Sequence, residues 1–388
     1  MTTETSPQTS PEILARLIGF DTVSARSNLD LIAWVESYLA EHGVASRRVP
    51  DETGAKASLI ATIGPEDQPG WVLSGHTDVV PVEGQAWSSD PFEARVEGGR
   101  LYGRGAADMK GFLACALAAV PRAAAAPLTR PIHLAFSYDE EVGCVGVRPM
   151  LAEMAGWAVR PLGCIVGEPS EMQVITGHKH KLSKTVVVEG LTGHSSRAPE
   201  AVNAVEYAAR LVAFISDLGR RLRANGPRDA LYDVAHTTAH VGRLSGGTQL
   251  NIVPERCSFD FEFRAVPGDD PHALLAEVEA EAARLTAEMQ AVAPETGIRF
   301  EPYSHIPGLE TDPGAEIAVL VKRLAGRNDH AKVAYSTEGG LFAEMAGVPA
   351  VICGPGSIRE AHKPDEFIAL SQLADCDAFL ERLIAECC

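Results

Sequence analysis

Apolar residues recur along this chain in two rhythms, and the change from one to the other divides it. Up to about Lys181, short apolar runs alternate with segments of helical spacing. Ser10 before Pro11 reads as a helix cap and first-turn proline, and Leu29 to His42, closed by Gly43, reads as a second helix. Runs at Leu59 to Ile63, Trp71 to Leu73, Ile132 to Phe136 and Cys164 to Val166 predict strands, with an Ala-rich helix at Leu113 to Val120 among them. Strands alternating with helices imply α/β architecture, a mostly parallel twisted sheet flanked by helices. Ala123 to Ala126 reads as a surface loop.

Beyond Lys181 the order becomes strand, helix, strand, strand, helix, strand. The segments are Thr185 to Glu189, Glu200 to Ala224, Thr237 to Leu244, Cys257 to Val266, Ala273 to Val292 and Ile298 to Tyr303. This βαββαβ succession is that of an α+β, ferredoxin-like sandwich. From about Pro302 the first rhythm returns, with a helix near Glu316 to Leu324, a strand at Ala350 to Cys353 and a closing helix from Ser371 to Ala385. The chain therefore reads as an α/β domain in two parts, residues 1–182 and 301–388, interrupted by a small domain at 183–300. Its 388 residues exceed the usual size of a single hydrophobic core.

Composition narrows the partners. A formal net charge of -18 argues against binding nucleic acid or an anionic membrane, which would be repelled over the whole surface. No run approaches the eighteen apolar residues of a membrane span, and Met1 to Ser10 is polar without a basic or apolar leader, so a cytoplasmic protein is expected. The eight cysteines show no paired spacing, and reduced thiols are expected. The terminal Cys387-Cys388 has no polybasic segment before it and reads as a frayed tail.

The chemistry gathers where apolar strands end. Phe136-Ser137-Tyr138-Asp139-Glu140-Glu141-Val142-Gly143 runs from a strand into three consecutive carboxylates, which repel one another unless a cation or a proton-transfer task holds them. Trp71 to Gly75 runs into His76-Thr77-Asp78, Cys164 to Gly167 into Glu168-Pro169, and Gly103-Arg104-Gly105 leads to Asp108 before a helix. Ends of parallel strands converge on one crevice, so these residues can meet. One histidine with several carboxylates and no cysteine suits Zn²⁺ or a similar divalent ion. A second imidazole would allow two ions, and His362, in the Gly- and Pro-rich loop Gly354 to Pro364, is the best candidate.

Several long motifs carry a family resemblance in order along nearly the whole chain. Ser74-Gly75-His76-Thr77-Asp78-Val79-Val80-Pro81, Gly103-Arg104-Gly105-Ala106-Ala107-Asp108-Met109-Lys110-Gly111, Asp139-Glu140-Glu141, Gly167-Glu168-Pro169 and Gly193-His194-Ser195-Ser196 are among them. They resemble the acetylornithine deacetylase branch of the dinuclear-zinc aminoacylase and carboxypeptidase G superfamily, with succinyl-diaminopimelate desuccinylases.

The resemblance implies a zinc-exopeptidase-like catalytic domain with an inserted lid and dimerisation domain. His76 and Glu168 would bind one ion, Glu141 and His362 the other, and Asp108 would bridge the two. The ions would be Zn²⁺, although Co²⁺ or Mn²⁺ can suit the same ligands. Asp78 would orient His76 by accepting its second N–H, and the Asp108-Met109 peptide would be cis. Glu140, left without a metal, would act as the base that takes a proton from water and returns it to the leaving amine. His194 would reach the active site of a partner subunit in a homodimer and stabilise the oxyanion. Asn251 and Arg264 would face a small-molecule substrate, with Arg264 on its α-carboxylate unless it is paired within the small sheet. Gly354 and Gly356 would add backbone N–H groups. Tyr138 and His180 depart from the relatives' pattern, where a smaller residue and a glycine are common, and put side-chain specificity in doubt. The reaction implied is deacylation of an N-acyl amino acid, N2-acetyl-L-ornithine first, as in arginine biosynthesis. N-acetylcitrulline deacetylation, succinyl-diaminopimelate desuccinylation and general aminoacylase or dipeptidase activity are alternatives. A non-catalytic binding protein of the same fold would have no reason to keep both ligands and base.

Overall fold

Thr9 starts the first helix, α1 (Ser10–Ile18), in place of Ser10. Its side chain and that of Glu12 take up each other's backbone N–H groups, a reciprocal cap for donors that have no partner in the first turn. The computed structural model describes residues 8–388, so residues 1–7 of the polar opening segment lie outside it.

In chain order there follow α2 (Leu29–Glu41), β1 (Ser46–Pro50), β2 (Ala57–Ile63), β3 (Trp71–His76), α3 (Gly111–Ala125), β4 (Ile132–Ser137), α4 (Val147–Met154), β5 (Gly163–Pro169) and β6 (Ile175–His178). Then come β7 (His180–Glu189), α5 (Ala204–Asn225), β8 (Thr238–Gly246), β9 (Arg256–Ala265), α6 (Pro271–Gln290) and β10 (Gly297–Ile306). The last segment holds β11 (Leu309–Glu310), α7 (Glu316–Ala325), α8 (Gly339–Ala346), β12 (Ala350–Gly354) and α9 (Leu370–Cys387). Helix α3 reaches Ala125, so most of the stretch expected as a loop is helical. Alanine is the strongest helix former, and Ala123 is buried.

The chain divides into two compact units. One comprises the chain up to Gly177 with Leu309–Lys332 and Thr337–Cys388; the other is His178–Gly308 with Val333–Ser336. In the first, one sheet has the strand order β1-β2-β4-β3-β5-β12-β6-β11. Its four central strands are parallel to one another, while β1, β2 and β6 join antiparallel. Every residue of β3, β4, β5 and β12 is buried, as expected of strands covered on both faces. Helix α3 packs on α1 and α9, and α4 packs on α8.

The second unit is a four-stranded antiparallel sheet of order β8-β9-β7-β10 with α5 and α6 packed on it, a ferredoxin-like arrangement. Its own core gathers Val186 and Val188, Phe259, Phe261 and Phe263, and Leu211 and Ile215. Strands β7 and β10 run further than their apolar stretches suggest, because ladder pairing continues through Lys181, Leu182, Ser183 and Lys184, three of them polar.

Candidate metal centre

Parallel order puts the ends of β3, β4, β5 and β12 on one edge of the sheet, and each end delivers an ionisable side chain or the loop that carries one. His76 is the last residue of β3, Glu140 and Glu141 follow β4, Glu168 lies near the end of β5, and His362 is in the loop after β12. Asp108 comes from a tight turn before α3, where the Asp108-Met109 peptide is cis. Asp139 and His362 adopt positive φ, 54° and 61°, which sends the chain sharply out of the strand and loop they belong to.

Six of the expected residues meet in two triads that share Asp108 with Glu140 beside them. The donor atoms of His76, Asp108 and Glu168 lie within 4.8 Å of one another, as do those of Asp108, Glu141 and His362. His76 Nε2 is 3.0 Å from Asp108 Oδ1 and 3.8 Å from Glu168 Oε1. On the other side His362 Nε2 is 3.2 Å from Asp108 Oδ2 and 3.1 Å from Glu141 Oε2. Nitrogen and carboxylate oxygen in these sets suit a divalent cation such as Zn²⁺ on each side of a shared carboxylate.

Electrostatics supports the same fit. Burial pushes Glu140 up to about 8 and, with the Asp108 charge, Glu141 up to about 7. Burial and Asp108 also hold Glu168 well above the ordinary carboxylate range. Burial works against charge on Asp108 as well, but hydrogen bonds from His362 and His76 outweigh it and keep Asp108 low. Those bonds to Asp108 and Glu141 raise His362 to about 10. Carboxylates this crowded and desolvated call for positive charge between them, which is what bound cations provide.

Asp78 meets His76 with both its backbone carbonyl and its carboxylate. The Nδ1–H of His76 donates to the backbone carbonyl of Asp78 at 2.9 Å, while the carboxylate stands 3.5 Å away. That carboxylate also accepts from Ser24 Oγ at 2.7 Å and from the N–H groups of Glu140 and Glu141 at 3.1 and 3.3 Å. It thereby fixes both the tautomer of His76, through its backbone, and the direction of the acidic turn. Asp139, without a chemical role in the sequence, binds Lys56 Nζ at 2.6 Å and anchors the same turn.

Two buried acids were missed by the sequence reading. Glu366 accepts the N–H groups of Ala107 and Asp108 at 2.9 and 3.1 Å and pairs with buried Arg104 at 2.7 Å, so it holds the Asp108 turn. It arrives there because the strand Phe367–Ala369 pairs with Arg100–Tyr102, which no local pattern announces. Glu338, pushed up to about 7 by burial, accepts from Ser137 and, at 3.2 Å, from Ser74. Its only signal was an acid before Gly339-Gly340 at a helix start.

The substrate residues fare less evenly. The Gly354 N–H donates to Ser170 Oγ at 3.1 Å and the Gly356 N–H to Gln372 Oε1 at 3.2 Å, so the two donors expected for substrate are engaged within the fold. Gly354 is required by packing, since a Cβ there would sit 2.0 Å from the carbonyl oxygen of Gly167. Arg264 donates to Glu262 at 3.0 Å on the small sheet. His194 is exposed and its Nδ1 accepts the Ser196 N–H at 3.2 Å, which leaves the proton of a neutral ring on Nε2. Asn251, also exposed, is brought beside it, its carbonyl accepting the Ser195 N–H at 3.1 Å. Tyr138 is accommodated by Gly146, where a Cβ would lie 2.6 Å from the tyrosine ring.

Among the described residues no helix is long and apolar enough to cross a membrane. A family model described as peptidase family M20/M25/M40 matches residues 72–386. The chain is 32% identical over 392 residues to an acetylornithine deacetylase of Proteus mirabilis (strain HI4320), covering 97% of this chain and 96% of that protein. It is 30% identical over 387 residues to one of Pasteurella multocida (strain Pm70), covering 97% of each. In fold it resembles an M20 family metallo-carboxypeptidase from Sulfolobus solfataricus, with a TM-score of 0.78 at 19% identity over 97% of this chain and 98% of that one. A Bacillus subtilis protein described as a dinuclear metal binding peptidase from M20 family gives 0.63 at 15% identity over 97% of each chain.

Proposed function

The chain belongs to peptidase family M20/M25/M40 and is a metallohydrolase, and we propose that it removes the acyl group from an N-acyl amino acid, with N2-acetyl-L-ornithine as substrate. The observation that carries this reading is the pair of triads sharing Asp108, with Glu140 half-buried beside them and in neither. The substrate rests on the deacetylases to which the chain is similar over nearly its full length. Acetate and L-ornithine would be the products, a step of arginine biosynthesis carried out in the cytoplasm.

His76 and Glu168 would hold one divalent ion, Glu141 and His362 a second, and Asp108 both, with Zn²⁺ the cation that best matches imidazole and carboxylate donors. Bound there, such ions supply Lewis-acid polarisation of the amide carbonyl and lower the pKa of water. The chain's own residues do the rest. Glu140, held in place by the Asp78 carboxylate at its backbone N–H, takes the proton of the attacking water on its carboxylate oxygen. It then delivers that proton to the departing amine nitrogen. Cys144 Sγ, 3.3 Å from Glu140 Oε1, restrains the carboxylate without competing for a cation.

His194 would donate its Nε2–H to the developing oxyanion from a second copy of the chain, and Asn251 beside it would contact the substrate. Two features support a homodimer through the second unit. Strand β8 is an edge of its sheet, and Leu244 on it is exposed, as are Leu250 and Ile252 in the segment that follows. Arg264 reaches the α-carboxylate in this reading only by leaving Glu262.

The deciding experiment is a competition among acetylornithine, acetylcitrulline, acetylmethionine, succinyl-diaminopimelate and a dipeptide, using the zinc-loaded enzyme. A kcat/KM for acetylornithine at least tenfold above every other supports the assignment. Preference for another substrate moves it within the family, and no hydrolysis of any amide overturns it.

A further inference from the structure

A second cluster of metal-ligating side chains lies wholly within the second unit, and the proposed reaction makes no use of it. His180 is the first residue of β7, His272 the second of α6, and His305 the last but one of β10. Their ligand nitrogens all lie within 4.8 Å of one another. His180 Nε2 and His305 Nε2 are 2.8 Å apart. The ring centroids are separated by 4.8 Å for His180 and His305, 5.0 Å for His272 and His305, and 6.0 Å for His180 and His272.

The fold brings these rings together without any local motif. His305 pairs across the ladder with Leu182, so His180, two residues away on the same strand, is its diagonal neighbour on one face of the sheet. That face also carries Leu182, part of the core formed with α5 and α6. The first turn of α6 adds His272, whose N–H is capped by the Asp270 carboxylate at 2.8 Å.

We propose that His180, His272 and His305 form a site for a late first-row divalent cation such as Zn²⁺ or Cu²⁺. Three neutral imidazoles without thiolate or carboxylate are the donor set these ions favour, and three protein nitrogens leave a coordination position open. Two imidazole nitrogens 2.8 Å apart share one proton, and three imidazolium ions could not sit this close. A cation in place of that proton lets all three rings act as acceptors at once. It needs the His180 and His305 nitrogens to part by only about 0.5 Å, since ligands at about 2.0 to 2.1 Å in a tetrahedral site lie roughly 3.3 Å apart. The negative charge of Asp270 bears on His180 and adds to the attraction for a cation. The three ligands come from the first and last strands, in chain order, of the unit's four-stranded sheet and from one of its two long helices. An ion there clips these elements together.

The test compares the zinc-loaded wild type with His272→Ala, the exposed ligand and therefore the least costly to fold. After equilibration against about 10 µM free Zn²⁺, metal analysis should find one more ion per chain in the wild type, with affinity at least about tenfold weaker in the variant. Because the readout is a difference, it does not depend on how many ions the Asp108 centre holds. Equal metal content in folded wild type and variant overturns the site. As an independent measure, Cu²⁺ added to the zinc-loaded wild type should give an electron paramagnetic resonance signal split by several equatorial nitrogens. A Cu²⁺ signal with oxygen ligands or a single nitrogen overturns it, whether or not the variant folds.

Discussion

Glu366 accepts the backbone N–H of Asp108 at 3.1 Å while its other oxygen binds Arg104, and both partners of that ion pair are 1% exposed. The turn that offers Asp108 to both triads is thus tied to a buried charge pair whose acid lies more than two hundred and fifty residues away in sequence. Glu366→Ala leaves the Arg104 guanidinium buried without its carboxylate. It should lower unfolding stability by about 3 to 5 kcal/mol in urea titration and weaken metal retention about tenfold or more against a chelator. A loss under about 1 kcal/mol would show that the pair is not needed.

Glu140 and Glu141 are adjacent, yet only Glu141 belongs to a triad. Glu140→Ala should reduce kcat by about 10² to 10⁴ with metal content unchanged. Glu141→Ala should lose metal as well as activity. Elemental analysis of both proteins distinguishes base from ligand, and a Glu140→Ala enzyme with wild-type turnover would falsify the assignment.

Removing the metal tests the donor set from the other side. Chelation should abolish turnover and lower the melting temperature, since ions bound to the native chain alone stabilise it by mass action. Zn²⁺ should restore both. Full turnover after exhaustive chelation, with metal analysis confirming removal, would rule out a metal role.

His194 stands apart from both triads in sequence and in ligand set. His194→Ala should reduce kcat by about 10² to 10³, with metal content unaltered and KM changed far less, the pattern of a group that acts in the transition state. If the residue serves a partner subunit, mixing His194→Ala with Glu140→Ala chains under conditions of subunit exchange should recover activity. A fully active isolated monomer excludes that sharing.

His133, on β4 beside Thr62 and Trp157, is 6% exposed, and burial lowers it to about 4 from 6.5. Between those values the unfolded chain binds a proton that the folded chain does not. Stability therefore rises with pH through this window and is lost as pH falls from 6.5 towards 4, by up to about 3 kcal/mol. His133→Asn keeps a polar atom facing Thr62 and should flatten the stability curve there relative to wild type. Parallel curves for the two proteins would mean that His133 titrates normally.

The strands that carry the site were legible because each is an apolar run. Burial on both faces makes Trp71 to Leu73 and, His133 apart, Ile132 to Phe136 apolar, and a ligand placed directly after such a run is carried to the sheet edge by the strand itself. The motifs named their residues for the same reason: His76, Glu140, Glu141 and Glu168 each sit within a few residues of a strand end. What the sequence could not display were contacts made across long separations. The hold of Glu366 on Asp108, Glu338 between Ser74 and Ser137, and Lys56 on Asp139 depend on which strands pair and which loops cross.

The tertiary structure also redirected some expectations. The Gly354 and Gly356 N–H groups are taken up by Ser170 and Gln372, and the Asp78 carboxylate holds the Glu140 and Glu141 backbone besides facing His76. The sequence by itself determined which side chains could serve as ligands and base, because residue type and strand position are local properties. Only the tertiary structure decided how each is held and with which partners, because hydrogen bonding is competitive and a buried donor depends on the acceptors that packing brings within reach.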